Sequence, residues 1–178
     1  MFADGSRAAA EAAMRKALSS SAAWRMERTL PGSARTLVSS GTVDCRTGDS
    51  GIEWRTEKPY PSLVAMRKDS MVFEDEDGRR EKTADEMPRY SDIRKATDAF
   101  ADGRLEAFDD VFDVETSSTE NGGWRAVFRP RISAMRSLVE SAEIEGHELP
   151  ERVTIRSGNG ATSTIRFMST KEASPHSK

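Results

Sequence analysis

Residues 24–30 read WRMERTL, and this stretch decides the fold class because its apolar residues recur at alternate positions. Trp24 and Met26 fall on one face of an extended chain together with Leu30, and the charged and polar residues between them fall on the other. Similar stretches follow at 36–45, 52–56, 63–67, 71–74, 114–117, 124–129, 139–146, 151–156 and 161–168. The pattern predicts an antiparallel sheet with one face exposed to water.

Three segments have helical rather than alternating patterns. Residues 6–18 are rich in alanine with Ser6 as the expected N-cap, residues 91–103 run from a capping Ser91 to Gly103, and residues 105–112 form a short third segment. The chain therefore reads as a helix, about five strands, two helices and about five more strands. We expect one domain over residues 1–178, with flexible ends at 1–5 and 169–178, in which a large sheet curls around the helices.

Composition excludes several classes of protein. The chain has 27 basic and 30 acidic residues and a net charge of −3, which argues against a strongly basic nucleic-acid binder. We expect no nucleic-acid partner. The sequence has no run of about 18 apolar residues, which a membrane-spanning helix would need. The first residues lack the basic start and apolar run of a signal peptide, so we expect a cytosolic protein or a mature secreted form.

Motifs for catalysis or metal binding are weak. Gly48-Asp49-Ser50-Gly51 matches the tetrapeptide around the serine of trypsin-like proteases, but both histidines, His147 and His176, follow it. A hairpin loop is the simpler interpretation. The lone cysteine, Cys45, excludes a multi-cysteine metal site. We predict no catalytic residues, no metal and no cofactor, and therefore a protein that is not an enzyme.

Aromatic residues, methionines and isoleucines share the alternating strand positions. They are Trp24, Met26, Ile52, Trp54, Met71, Phe73, Trp124, Phe128, Ile155, Ile165 and Phe167. Taken alone, the stripe favours a closed core over a lined cavity, because such residues are mostly interior. Arg28 is unusual, since it falls on the same face as Met26. If buried, it needs a carboxylate, lid carbonyls or a ligand ester as partner, and at a rim its head would reach water.

Several local patterns resemble one known family in their order along the chain. The sequence has SSGTV at 39–43, GIEW at 51–54 and then Lys58-Pro59, and the helix ending at Gly103 is followed by Leu105, Phe108 and Phe112. The late strands carry VTI at 153–155 and TIRF at 164–167 around a glycine turn. In this order, from about Ser6 to Met168, they resemble the periplasmic outer-membrane lipoprotein carriers of the LolA family.

The resemblance implies an α+β fold, mainly antiparallel β. It is an unclosed, strongly curved β-barrel of about ten to eleven strands, with helices covering the concave face. It also implies a monomeric periplasmic carrier that moves lipoprotein acyl chains from the inner to the outer membrane. The implied partners are those acyl chains or other lipids, an inner-membrane releasing complex and an outer-membrane acceptor. This favours the cavity over the closed core.

The resemblance also assigns roles to residues outside the stripe. The expected lid residues are Ile93, Ala96, Phe100, Leu105 and Phe108. Lys58 stands where family members have a lid-locking arginine, and a lysine offers a point charge instead of a planar fork. Arg28 or Arg67 could replace that arginine as lid lock or polar handle. The rival interpretation is a protein-interaction domain with a packed core that binds partners through an exposed strand edge.

Overall fold

The structure is a computed structural model that describes residues 5–45, 51–88, 90–91 and 104–169. Helix α1 spans Ser6–Ala17, short helix α2 spans Ser133–Arg136, and 3-10 turns lie at Ala84–Glu86 and Leu105–Phe108. The strands are β1 (Ser21–Thr29), β2 (Thr36–Asp44), β3 (Ile52–Lys58), β4 (Ser62–Met66), β5 (Ser70–Asp75), β6 (Gly78–Thr83), β7 (Phe112–Ser118), β8 (Trp124–Pro130), β9 (Val139–Gly146), β10 (Pro150–Ser157) and β11 (Thr162–Met168).

The strands form one antiparallel sheet of eleven strands in the order β6-β5-β4-β3-β2-β1-β11-β10-β9-β8-β7. The first strand pairs with the last at the centre, with Met26 opposite Ile165. Strands β6 and β7 are the two edges, so the barrel stays unclosed. The predicted fold class is confirmed.

Local differences from the sequence prediction have physical reasons. Six strands, not about five, precede the middle region, because the charged residues 78–83 form β6. That strand is exposed along its whole length, so apolar alternation could not mark it. The segment 105–112 is helical only as the turn Leu105–Phe108, and Phe112 already begins β7. Ser6 is the first helical residue instead of the cap, which is Gly5.

The register places apolar residues of neighbouring strands in rows on one face of the sheet, which we call the inner face. One row runs through Phe73, Val64, Trp54, Val43 and Ala22 on β5 to β1. A second runs from Met26 to Ile165, Val153, Ile144 and Ala126 on β8. Because the side-chain period of a strand is two, charged neighbours of these residues such as Arg25, Glu27 and Arg125 point to the outer face. Arg28 on β1 is an exception, because it shares the inner face with Met26.

Cross-strand ion pairs lie on the outer face of β7, β8 and β9, whereas on β4 and β5 that face carries the buried Ala65 and Val72. Arg125 on β8 donates to Glu143 on β9 at 2.7 Å, and Arg129 donates to Glu115 on β7 at 2.9 Å. Such exposed pairs contribute little stability individually. Their main effect is to keep the outer face of β7, β8 and β9 hydrated.

Curvature of the sheet is visible in ring contacts between distant strands. Strand β3 is separated from β11 by β2 and β1, a distance of about 14 Å in a flat sheet at ~4.8 Å per strand. Yet the ring centroids of Trp54 and Phe167 lie 6.3 Å apart. Side chains from β3 and β11 therefore converge on a concave inner face.

Candidate functional site

The predicted cavity residues all lie on the inner face, at positions fixed by the register. They fall into separate regions. Trp124 and Phe128 belong to a cluster beneath α1, whereas Trp24, Met26, Ile52, Trp54, Ile165 and Phe167 form a second cluster around β1. Met71 and Phe73 on β5 and Ile155 on β10 are half-buried elsewhere on the same face.

The first region, the α1 cluster, is filled by the protein itself. Its members are Ala10, Ala13, Met14, Leu105, Phe108, Trp124, Ala126 and Phe128. Met14 is 0% exposed, and Leu105 and Phe108, two of the predicted lid residues, are buried here. Thus α1 and the Leu105–Phe108 turn cover the inner face of β7, β8 and β9 with their apolar sides.

Two hydrogen bonds hold these pieces in place. The backbone N–H of Leu105 donates to Glu11 Oε1 at 3.1 Å, which joins the 105–108 turn to α1. The Trp124 indole N–H donates to the carbonyl of His147 at 2.7 Å, so this buried ring has its polar atom satisfied. The other predicted lid residues, Ile93, Ala96 and Phe100, lie outside the described residues.

The second region, the indole cluster, comprises Trp24, Val43 and Ile165 with the partly buried Ala22, Met26, Cys45, Ile52, Trp54, Val153 and Phe167. Trp24 and Trp54 stack with centroids 4.7 Å apart and planes at 26°, and Phe167 meets the edge of Trp54. Burial raises the pKa of the Cys45 thiol, and the nearby Asp44 adds to the effect. The cysteine is thus a poor nucleophile that belongs to the apolar surface.

Sequence reasoning missed several members of this region. Ala22, Val43, Cys45 and Val153 follow the same alternation as the predicted residues. They are smaller side chains, and extending the period of two along each strand would have found them.

Polar groups interrupt the indole cluster at β1 and β2. The atoms Trp24 Nε1, Arg28 Nε and Ser39 Oγ are buried and have no hydrogen-bond partner among the residues that the structure describes. Lys58 is exposed and lies beyond a bulge in β3, where it pairs with Ser40. Ser39, which precedes Ser40 on β2, points to the inner face, so Ser40 and its partner Lys58 face away from the clusters. As with the cavity residues, lid locking by Lys58 stays a prediction.

Two surface depressions lie elsewhere. One of about 400 Å³ is lined by Gly122, Trp124 and His147 among others, at the end of the sheet beside the start of α1. The other, about 580 Å³, lies on the charged outer face beside Arg125 and Arg129. Within the described ranges, no group of His, Cys, Asp and Glu side chains could hold a metal ion. No helix in those ranges is long and apolar enough to cross a membrane. The serine of the protease-like tetrapeptide, Ser50, lies outside them.

Comparison with known proteins gives matches among solved structures. No protein-family model and no curated protein sequence matches the chain. A LolA superfamily protein from Nitrosomonas europaea aligns at 8% identity and a TM-score of 0.44, over 90% of this chain and 92% of that one. The MucA/MucB complex of Pseudomonas aeruginosa aligns at 11% identity and 0.47, over 91% of this chain and 54% of that one.

A third match is a DUF1329 family protein from Desulfovibrio piger, at 10% identity and a TM-score of 0.38, covering 93% of this chain and 92% of that one. At these identities and TM-scores, the similarity supports neither a shared function nor shared site residues. The alignment with the LolA superfamily structure extends along nine-tenths of this chain.

Proposed function

We propose that this protein is a carrier that holds the acyl chain of a lipid or lipid-modified protein against the indole cluster and releases it intact. The observation that supports this is the concave row of aromatic, methionine and isoleucine side chains around Trp24 and Trp54. Large, rigid rings and a flexible thioether suit an apolar ligand of irregular shape.

The energetics require a covered site. Burying an acyl chain gains about 0.8 kcal/mol per methylene, so a chain of about 16 carbons gains on the order of 10 kcal/mol. A site that captured all of this would release its cargo very slowly. In our proposal, the far end of the chain displaces α1 and the 105–108 turn, which cover the neighbouring inner face of β7, β8 and β9 in the lipid-free state. The predicted helix 91–103 lies largely outside the described residues. Displacing α1 and the 105–108 turn lowers the net affinity to a releasable range.

Because bilayers are where such acyl chains are donated and received, the carrier works between two membranes in this proposal. The periplasm, with lipoproteins as cargo moving from inner to outer membrane, is the setting that the sequence resemblance implies. A releasing complex at the donor membrane and an acceptor at the other would be its partners. Each of these particulars is separable from the acyl-binding step, which can be tested first.

The test compares two neighbouring positions on β1 that point to opposite faces. Met26 is half-buried in the indole cluster, whereas Glu27 is exposed on the outer face. Binding is measured with a neutral fluorescent probe, Nile red, and by displacement of that probe with hexadecanol. We expect Met26→Gln to lower the affinities for Nile red and for hexadecanol about tenfold each, because an unpaired amide would face the chain. Glu27→Gln should change neither. Equal effects of the two variants, or no displacement by hexadecanol from the unmodified protein, would contradict acyl binding at this face.

The rival function, partner binding by strand addition, is disfavoured at one edge. Strand β6 carries Arg79, Arg80, Glu81 and Lys82 and is exposed throughout. Charged residues of this kind are typical of edges that avoid pairing with another chain.

A further inference from the structure

Three buried polar atoms on the inner face of β1 and β2 lack a partner within the described part of the chain: Trp24 Nε1, Arg28 Nε and Ser39 Oγ. Trp24 is only 2% exposed, and Arg28 and Ser39 are half-buried. The indole and guanidinium nitrogens can donate hydrogen bonds but cannot accept them. Since buried donors in native proteins are nearly always satisfied, a group that brings acceptor oxygens would complete this site.

The register places the three side chains on the same face of two adjacent strands. Trp24 and Arg28 lie four residues apart on β1, about 13 Å along the strand at ~3.3 Å per residue. Ser39 lies opposite Met26, between them on the adjacent strand. The hydroxyl of Ser39 is therefore a diagonal neighbour of Arg28 on the same face.

No carboxylate from the adjoining strands is positioned to neutralise Arg28. Opposite it lie Leu37 on β2 and Ser163 on β11, and its diagonal neighbours on the inner face are Ser39 and Ile165. The one acidic residue of β1, Glu27, faces outward and pairs with Arg25 at 3.4 Å. A guanidinium in these surroundings favours an anionic or strongly polar oxygen as its partner.

Arg28 also marks a boundary along the inner face. Toward Trp24 lie Met26 and the buried Ile165, whereas Leu37, directly opposite Arg28 on β2, is 54% exposed. A ligand that followed this face would have its apolar part beside Met26 and its other end near water. That polarity matches an amphiphile with one chain and one polar head.

We propose that Arg28 and Ser39 bind the oxygen-bearing head of the acyl ligand, either the carboxylate of a fatty acid or the carbonyl of an acyl ester. This inference rests on the proposed acyl binding and adds the chemical class and orientation of the ligand. Arg28 Nε and the Ser39 hydroxyl donate to the head oxygens. The chain runs from there along Met26 toward Trp24, whose fluorescence reports its arrival.

The experiment measures displacement of Nile red by three ligands of equal chain length: hexadecanoate, methyl hexadecanoate and hexadecanol. We expect Arg28→Met to lower hexadecanoate affinity about tenfold or more, because a charge-assisted hydrogen bond is lost. Hexadecanol affinity should stay within about twofold, since apolar contacts are kept. Ser39→Ala should cause a smaller loss for hexadecanoate. If Arg28→Met lowers the affinity for methyl hexadecanoate as much as that for hexadecanoate, the site binds an ester carbonyl. If it lowers the affinity for hexadecanoate alone, the site binds a carboxylate.

The matched control is Arg166→Met, which removes the same charge from the exposed outer face of β11. It should leave all three affinities unchanged. If Arg28→Met fails to fold, Arg28→Lys replaces it, because lysine keeps the charge but lacks Nε and the planar fork; an intermediate loss is then expected.

Two results would overturn the inference. If hexadecanol binds normally and hexadecanoate affinity is the same in Arg28→Met as in Arg166→Met, Arg28 does not bind the ligand head, although the proposed acyl binding stands. If none of the three ligands displaces the probe from the unmodified protein, acyl binding and the head site fail together.

Discussion

Replacing Met14 in α1 with alanine should lower the stability of the lipid-free protein and at the same time raise its affinity for lipid. Met14 is 0% exposed and packs in the α1 cluster with Leu105, Trp124 and Phe128. Truncating a buried methionine to alanine costs about 2–5 kcal/mol. If α1 leaves the inner face when an acyl chain enters, that cost falls on the lipid-free state alone. At the lower limit of about 2 kcal/mol, apparent affinity would rise about thirtyfold.

The assay is titration of Met14→Ala with hexadecanol, followed by tryptophan fluorescence, at a temperature below the thermal midpoint measured for the variant. Lys16→Ala is the control on the same helix, because Lys16 forms an exposed ion pair with Glu148 at 2.8 Å and should leave affinity unchanged. Weaker or unaltered lipid binding by Met14→Ala would contradict displacement of α1 by the acyl chain. In that case α1 would be a fixed wall of the fold, not a displaceable cover.

Further substitutions test other parts of the structure. Gly41→Ala should lower the urea midpoint by the equivalent of about 2 kcal/mol or more, because a Cβ at this position would lie 1.9 Å from the Arg55 carbonyl oxygen; a near-native midpoint would contradict the register of β2 and β3. Labelling of Cys45 by a thiol reagent at mildly alkaline pH should be slower in the folded protein than in urea, since burial raises the pKa of the thiol, and slower again with hexadecanol bound; equal rates would place it outside the cluster. The Glu151 carboxylate accepts a hydrogen bond from the His147 ring at 2.9 Å and is the largest cause that raises the His147 pKa above 6.5, with the Asn121 carbonyl next. This stabilisation is present below the unfolded pKa and lost as pH rises through the folded pKa, so Glu151→Gln should lower the urea midpoint at about pH 5.5 and have little effect at about pH 8.5; a uniform effect would contradict it.

Much of the sheet could be predicted because apolar alternation marks strands with one buried face. Residues 24–30 predict β1 and its inner face, and the same logic holds for β3, β8 and β11. Strand β6 escaped prediction because both of its faces are charged, so a period of two leaves no trace. The shortening of the 105–112 helix follows from tertiary pairing: Phe112 lies opposite Pro130 in the β7–β8 ladder, and this overrides its local helical spacing.

The candidate site was less predictable, for a different reason. Alternation identifies which side chains share a face but not which of them the protein covers with its own helices. Trp24 and Trp124 fit the same pattern in the sequence, yet Trp124 is packed under α1 with its N–H bonded to the His147 carbonyl. The Trp24 N–H has no partner among the residues that the structure describes. That difference depends on contacts between residues far apart in the chain, which no local spacing encodes.

The most direct test of acyl binding at the inner face is photo-crosslinking with a 16-carbon fatty acid that carries a diazirine near its methyl end. The crosslinked residues would be mapped by mass spectrometry. We predict adducts on inner-face residues around Trp24, where the methyl end would lie, with Trp54 and Phe167 among them, and loss of these adducts when hexadecanol competes. Adducts that fall mainly on outer-face residues such as Arg25 and Arg166, or that excess hexadecanol leaves unchanged, would contradict acyl binding at this face.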